Sequence, residues 1–388
     1  MYNFDKEIIR RGTNSVKWDE IGDKDIIPMW VADMDFLAAP EIQKALEERV
    51  KHGVFGYTSV PESYYESIIN WFNREHDWVI DKSWIIYTTG VVPAISATIY
   101  ALTMPGEKIL IQSPAYNCFF SSIKNQGCEV LETPLIRKDD SYVMDWEDFE
   151  SKCADKKTTI FLLCNPHNPS GRVWTKEELE KINTICLKHD VMVISDEIHC
   201  ELIMPGYTFT PFAAINEDCQ NNCITLNSPT KSFNIAGLQI ANIICKNQTL
   251  RYKIDRAINI FEICDVNPFA PIALEAAYNK SKDWLKELNV YINNNYVTLK
   301  NFLKKELPQI EVLRLEGTYL VWINIEALNI KAETLSKQLI KEAHVFINPG
   351  TLYSKKYGEG YLRINIATQR ATMIEGLQRI TKVIKKLL

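Results

Sequence analysis

"TTIFLLCNPHNPSGRVWTKEELEKINTICLKHDVMVISDE", residues 158–197, sets two short apolar runs on either side of an amphipathic one. The outer runs, "TTIFLLCNP" (158–166) and "VMVISDE" (191–197), show no polar alternation, which is the pattern of strands buried on both faces. Between them "TKEELEKINTICLKHD" (175–190) has a helical period. Thr175 stands as its N-cap, and Glu178, three residues on, completes a capping box. A strand, a helix and a second strand of these lengths form the repeating unit of a parallel sheet.

The alternation continues outward. "WIIYTTG" (84–90) is strand-like and leads into the helical "VVPAISATIYALT", while "KILIQSP" (108–114) precedes another helical patch. Further strands are expected at "CITLNS" (223–228) and "QIANIIC" (239–245). The fold class is therefore α/β, with a mostly parallel sheet covered on both faces. After residue 248 the pattern turns helical for a long stretch. A second α/β region follows: "YLVWINI" (319–325), a helix near 332–343, "VFINPG" (345–350), "YLRINIA" (361–367) and a final helix ending "ITKVIKKLL". We expect a large domain over 46–285 and a small C-terminal domain over 286–388, with residues 1–45 joining the small one.

Composition narrows the function. The chain has 388 residues, 46% hydrophobic and 24% charged, with a net charge of −5. Basic residues are interspersed with acidic ones, so neither nucleic acid nor anionic lipid is an expected partner. No apolar run approaches the roughly 20 residues that span a bilayer, and "MYNFDKEIIRRGTNSVKWDE" has no secretory pattern. The 10 cysteines, from Cys118 to Cys264, lack ligand spacing. They read as reduced thiols of a cytoplasmic protein without a metal site.

Polar residues collect at one edge of the expected sheet: Gly90, Asn165, Asn168, Asp196 and Ser228 all stand at strand C-termini or just beyond. Ligands bind at that edge of open α/β sheets. Lys231, in "SPTKSFNIAGLQ" (228–239), follows two hydroxyls suited to a phosphate, Ser228 and Thr230. A solvated lysine stays protonated, whereas one desolvated near positive charge can attack a carbonyl. The plainer alternative is a surface lysine in a loop. Asp196, ending an apolar strand, needs a cation, and a pyridinium nitrogen is one candidate; a helix cap or an internal ion pair is the other. "NPHNPSG" is a turn on any account, and Asn168 within it can offer an amide. "YTTGVVPA" (87–94) is a strand–glycine–helix junction whose N–H groups suit a phosphate. Arg363 interrupts an apolar strand, either to pair with an acid or to hold a substrate carboxylate.

These ordered motifs, from Gly90 to Arg363, resemble fold-type I pyridoxal-phosphate enzymes of the class I/II aminotransferase group over nearly the whole chain. Within it, "DMDFLAAP", "HGVFGYTS", "NPHNPSGRVWT", "SDEIHCEL" and "TKSFNIAGLQ" are most similar to the MalY/PatB branch of cystathionine β-lyases or C–S lyases. The resemblance implies a large domain on a mostly parallel, seven-stranded-type sheet, pyridoxal 5'-phosphate as cofactor and Lys231 as the lysine that ties down its aldehyde. It further implies Asp196 at the ring nitrogen, Asn168 at the phenolic oxygen, Tyr116 on the ring, and Gly90, Val91, Val92, Ser228 and Thr230 around the phosphate. Arg363, with Asn168, would hold the substrate carboxylate. Tyr57 would reach a neighbouring subunit's phosphate, which makes the enzyme a homodimer with shared sites.

Two departures from the common aminotransferase pattern stand out. Gln239 replaces an arginine usual eight residues after the lysine, and His199 replaces a tyrosine near the ring oxygen. Both fit the lyase branch, and the resemblance to that branch implies α,β-elimination from cystathionine or a related cysteine S-conjugate to a thiol, pyruvate and ammonia. A class I/II aminotransferase is the alternative, and a regulator using the fold as a scaffold is a third reading, disfavoured because Lys231 and Arg363 are both kept. Trp30, Met34 and Tyr353 are conceivable lining for the substrate side chain.

Overall fold

The computed structural model describes residues 2–23, 25–260 and 265–388. After a two-residue strand, β1 (Ile27–Pro28), eight strands build the sheet that positions the site. They are β2 (Ile85–Thr88), β3 (Lys108–Ser113), β4 (Glu129–Lys138), β5 (Ser141–Met144), β6 (Thr158–Cys164), β7 (Met192–Asp196), β8 (Cys223–Asn227) and β9 (Ala241–Ile244). Their spatial order is β2-β9-β8-β7-β6-β3-β4-β5. The central run from β8 to β4 is parallel throughout.

The quoted stretch folds as its pattern predicts. Ile160, Phe161, Leu162 and Leu163 of β6 are all buried, and β7 is buried from Val193 to Asp196. Each such side chain contributes roughly 1.5–3 kcal/mol of apolar burial. Helix Lys176–Lys188 carries the capping box: Thr175 Oγ1 accepts from Glu178 N–H, and Glu178 Oε2 accepts from Thr175 N–H at 2.9 Å. Its apolar face buries Leu179, Ile182, Ile185 and Cys186.

The edges of the sheet depart from the sequence expectation. Strands β4 and β5 form an antiparallel hairpin at one edge that the apolar pattern does not announce. Only Thr133 and Leu135 of β4 are buried, the segment carries Glu129, Glu132, Arg137 and Lys138, and the hairpin brings the sheet to eight strands rather than the expected seven. Strand β9 is shorter than expected and antiparallel to both β8 and β2. Two reversals in succession leave β2 pointing the same way as the parallel strands. The junction after β2 therefore opens on the same edge as Asp196.

The C-terminal region has helices Ala270–Lys280 and Lys282–Glu306, then β10 (Glu311–Val312), β11 (Leu320–Asn324), β12 (Val345–Phe346), β13 (Asn348–Pro349) and β14 (Tyr361–Asn365). The second sheet, β10-β11-β14-β13, is antiparallel rather than a repeat of the first. The helix expected near 332–343 is an α-helix, Ala332–Gln338, continued by a π turn, Leu339–Ala343. The first residues of the chain pack against this region. β1 pairs with β12, Asn365 N–H donates to Met29 O and Asp35 N–H to Ala367 O, both at 2.9 Å, and Phe4 meets Trp284 edge-on.

Candidate active site

The C-terminal ends of five strands and the loops beyond them converge on a cavity of about 230 Å³. Among its walls are Gly90, Val91 and Val92 after β2, Tyr116 after β3, Asn168 after β6, Asp196 and His199 at β7, and Thr230 and Lys231 after β8. Parallel strands splay their connecting loops apart at this edge, which is why residues distant in sequence meet here.

Lys231 points its amine at the backbone: Nζ donates to Ala32 O at 2.7 Å. Burial pushes its pKa down, and Arg363 adds to that, while Asp33 and Asp196 pull the other way. Asp196 is 3% exposed, and burial raises its pKa to about 7 against a hydrogen bond from Ile198 N–H (3.1 Å) and the charge of Lys231. The aspartate is therefore neither a solvated carboxylate nor half of an ion pair among the described residues. It is poised to ionise when a cation arrives.

His199 is also buried. Burial, then Lys231 and Arg363, depress its pKa to about 3, so the ring is neutral, and its Nδ1 has no hydrogen-bond partner. Its ring stands edge-on to Tyr319 at 6.1 Å. Tyr116 lies at the start of helix Asn117–Asn125, its hydroxyl held neutral first by burial and then by Cys118.

Helix Val91–Leu102 begins at the cavity with Gly90 as its N-cap and no side-chain cap. The amides of Val91 and Val92 belong to the first turn, whose N–H groups have no intrahelical acceptor. Beside them Thr230 Oγ1 lies 2.7 Å from Ser228 Oγ, which donates to Ile240 O. Ser228 is thus one layer behind the wall that Thr230 lines.

Arg363 is 3% exposed and has no acidic partner among the described residues. Its Nη1 donates to Asn168 Oδ1 (3.2 Å), its Nη2 to Trp30 O (2.6 Å), its Nε has no partner, and its plane lies 4.8 Å over Tyr353. The reading in which it pairs with an acid is set aside. A stacked, half-satisfied guanidinium of this kind has the free donors that a carboxylate needs.

Four expected residues fall elsewhere. Tyr57 is 97% exposed and away from the cavity. Met34 and Tyr353 are core side chains, the latter under Arg363. Trp30 stacks on Phe346 at 4.6 Å and offers the site only its carbonyl. The sequence reading missed Ala32, Cys164, Ile198 and Ala236 as lining. Ala32, Ile198 and Ala236 carry no distinctive side-chain chemistry, Cys164 is one of the buried thiols that the sequence reading treated as a group, and Ala32 acts through its backbone.

These residues define a class of protein before any particular relative is considered. The chain belongs to the aminotransferase class I and II family, whose model matches residues 24–380. Within it, the chain is 41% identical to the cystathionine beta-lyase PatB of Bacillus subtilis (strain 168), covering 97% of this chain and 98% of that one. It superposes on cystalysin from Treponema denticola, a structure containing pyridoxal 5'-phosphate, with a TM-score of 0.97, 36% identity and full coverage of both chains. The PLP-bound C-S lyase from Staphylococcus hominis, complexed with L-cycloserine, gives a TM-score of 0.94 at 33% identity over 99% of this chain and 98% of that one.

Proposed function

We propose that the chain is a pyridoxal-phosphate-dependent carbon–sulfur lyase. It would cleave cystathionine or a related cysteine S-conjugate to a thiol, pyruvate and ammonia. One observation carries the reading: a single cavity brings together a buried amine, a buried carboxylate without a cation and the Asn168 amide that Arg363 holds. That donor set fits the cofactor named in the solved relatives. Lys231 would hold its aldehyde, Asp196 its ring nitrogen and Asn168 its phenolic oxygen, with Tyr116 against the ring and His199 nearby. The amides of Gly90, Val91 and Val92 and the hydroxyl of Thr230 would take the phosphate, with Ser228, expected there from the resemblance, backing Thr230 from behind the wall. When bound, the group supplies an electron sink for the pair left as the α-proton departs.

The chain's own residues do the rest. Arg363, preorganised by Asn168 and Tyr353, grips the substrate carboxylate in a bidentate pair. That fixes the α-carbon beside Lys231, whose tethered amine removes the α-proton. Positioned proton transfer of this kind is worth on the order of 10²–10⁴ in rate. A neutral His199 leaves the Lys231 side of the site without a second titrating cation at working pH. Gln239 lines the phosphate side where the commoner pattern has an arginine, so neutral donors carry that contact.

Supporting a homodimer, the exposed run Val54, Phe55 and Tyr57 presents apolar surface that a second copy would cover. The free, mostly buried cysteines support a reducing cytoplasm; Cys264 lies outside the described residues. Among the described residues no helix is long and apolar enough to cross a membrane. The domain division 1–45, 46–285 and 286–388 is part of the same proposal, supported by the packing of Phe4, β1 and Asp35 on the C-terminal region.

The test is cystathionine with no keto acid present. Pyruvate and free thiol accumulating over many turnovers are expected. A single turnover that stalls would instead assign an aminotransferase.

A further inference from the structure

The segment Trp30–Phe36 is sewn to both carriers of the site's cations. Trp30 O accepts from Arg363 and, two residues on, Ala32 O accepts from Lys231. Asn365, two residues after Arg363, donates its amide to Val31 O and Asp33 O. Asn234, three residues after Lys231, clasps the same segment from the other side: its Oδ1 accepts from Met34 N–H (3.0 Å), and its Nδ2 donates to Met34 O (3.1 Å) and Phe36 O (2.7 Å). Ala32 O, in the middle of this strap, receives a second hydrogen bond from the Tyr319 hydroxyl at 2.9 Å. Both lone pairs of that carbonyl are therefore in use.

We infer that Tyr319 is a positioning residue for Lys231: with the Ala32 carbonyl it forms a dock that holds the lysine amine whenever that amine has no covalent partner. The inference rests on the reading of Lys231 given above and extends it to where the side chain waits. A lysine has a long flexible stem, and an amine loose in a cavity would scatter over many rotamers. Here it has one neutral acceptor. Arg363, Asp33, Asp196 and Cys118 act on the amine electrostatically, yet among the described residues no carboxylate lies within ion-pair distance of it. A carboxylate at the dock would hold the ammonium tightly and keep it protonated. A carbonyl holds it in place and still lets it leave. Tyr319 is 1% exposed, directly ahead of β11, and fixed against His199, so its hydroxyl sets which way the carbonyl faces.

Tyr319→Phe removes one hydroxyl and keeps the ring. In full-length protein stripped of cofactor, dilute acetic anhydride followed by peptide mass spectrometry measures how fast Lys231 is acylated, with exposed Lys176 as reference. We expect Lys231 to react about fivefold faster in the variant, the size of one lost hydrogen bond. In the loaded enzyme kcat should fall about tenfold, with substrate KM and cofactor content unmoved. An unchanged acylation rate overturns the dock, whatever the turnover. A faster acylation rate in a protein without lyase activity supports the dock and sinks the proposed reaction instead. Should Tyr319→Phe fail to fold, Asn234→Ala slackens the strap from its other side and carries the same labelling test: a similar rise supports the dock, and no rise overturns it.

Discussion

Two clusters of buried charge lie at opposite ends of the short segment 30–36, and they are built on opposite principles. In the first, Lys17 (1% exposed) meets Asp35 at 2.7 Å, Arg10 bridges Asp33 and Asp35, and Trp18 Nε1 donates to Asp35. Burial alone would lift the Asp35 pKa, but Lys17 and its other donors hold it below the usual range. In the second, Lys231 rests on a neutral carbonyl, Asp196 has one backbone donor, and His199 Nδ1 and Arg363 Nε have no partner. The first cluster has every charge answered from within the chain, and it holds the fold. The second leaves its polar atoms for a ligand to answer. Buried charge marks a functional site where pairing is incomplete, not merely where charge is buried.

Lys231→Ala should break the second cluster most severely. Purified protein should lose its cofactor colour, and turnover should drop by at least the 10²–10⁴ expected of a positioned proton carrier; a spectrum that survives would remove Lys231 from its role. Lys17→Met attacks the first cluster instead. It should cost about 1.5–3 kcal/mol in chemical denaturation, the worth of a hydrogen bond to a charged group, because Asp35 keeps Arg10 and Trp18, with the cofactor spectrum of the remaining folded protein intact.

His199→Gln sharpens the contrast through pH. The folded pKa of His199, about 3, lies below its ordinary 6.5, so its stabilising contribution is complete above pH 6.5 and is lost as pH falls toward 3. Asp196 works with the opposite sign: raised to about 7, it favours the fold below the ordinary carboxylate range and that contribution is lost as pH rises toward 7. Cofactor-stripped His199→Gln should therefore lose roughly 2–3 kcal/mol less than the unsubstituted protein between pH 7.5 and 4.5. Urea midpoints at the two pH values measure the difference. Arg363→Ala is the mildest: KM for amino acids should rise about 10- to 100-fold, the worth of hydrogen bonds to a charged group, while cofactor content stays constant. Unfolding in place of a KM effect would return Arg363 to a structural role.

The parts of this molecule legible in the sequence are those where local pattern and burial agree. β6 and β7 are apolar end to end because both faces are covered, and the Thr175 capping box is a contact between residues three apart. Asp196, Asn168 and Lys231 were legible because strand ends announce the edge where loops meet. The hairpin β4–β5 was not, since an edge strand with one wet face mixes charge with apolar residues. The antiparallel turn of β9 depends on pairing that no local period encodes. Ala32 was invisible for another reason: its contribution is a carbonyl, which every residue has. Tyr57 stands exposed outside the cavity, and the role expected of it belongs to the proposed homodimer rather than to any local pattern.

The contacts of Met29 with Asn365 and of Asp35 with Ala367 also set a timetable. The acceptor strap leaves the ribosome early and the lysine loop well after it, but Asn365 and Ala367, which pair with the strap's backbone, are made more than three hundred residues after the strap, roughly half a minute at common synthesis rates. A nascent or truncated chain can complete much of the large sheet and still lack a held Ala32 carbonyl. The resting place of this amine, which needs Tyr319 as well as the strap, is thereby completed only when translation is nearly over.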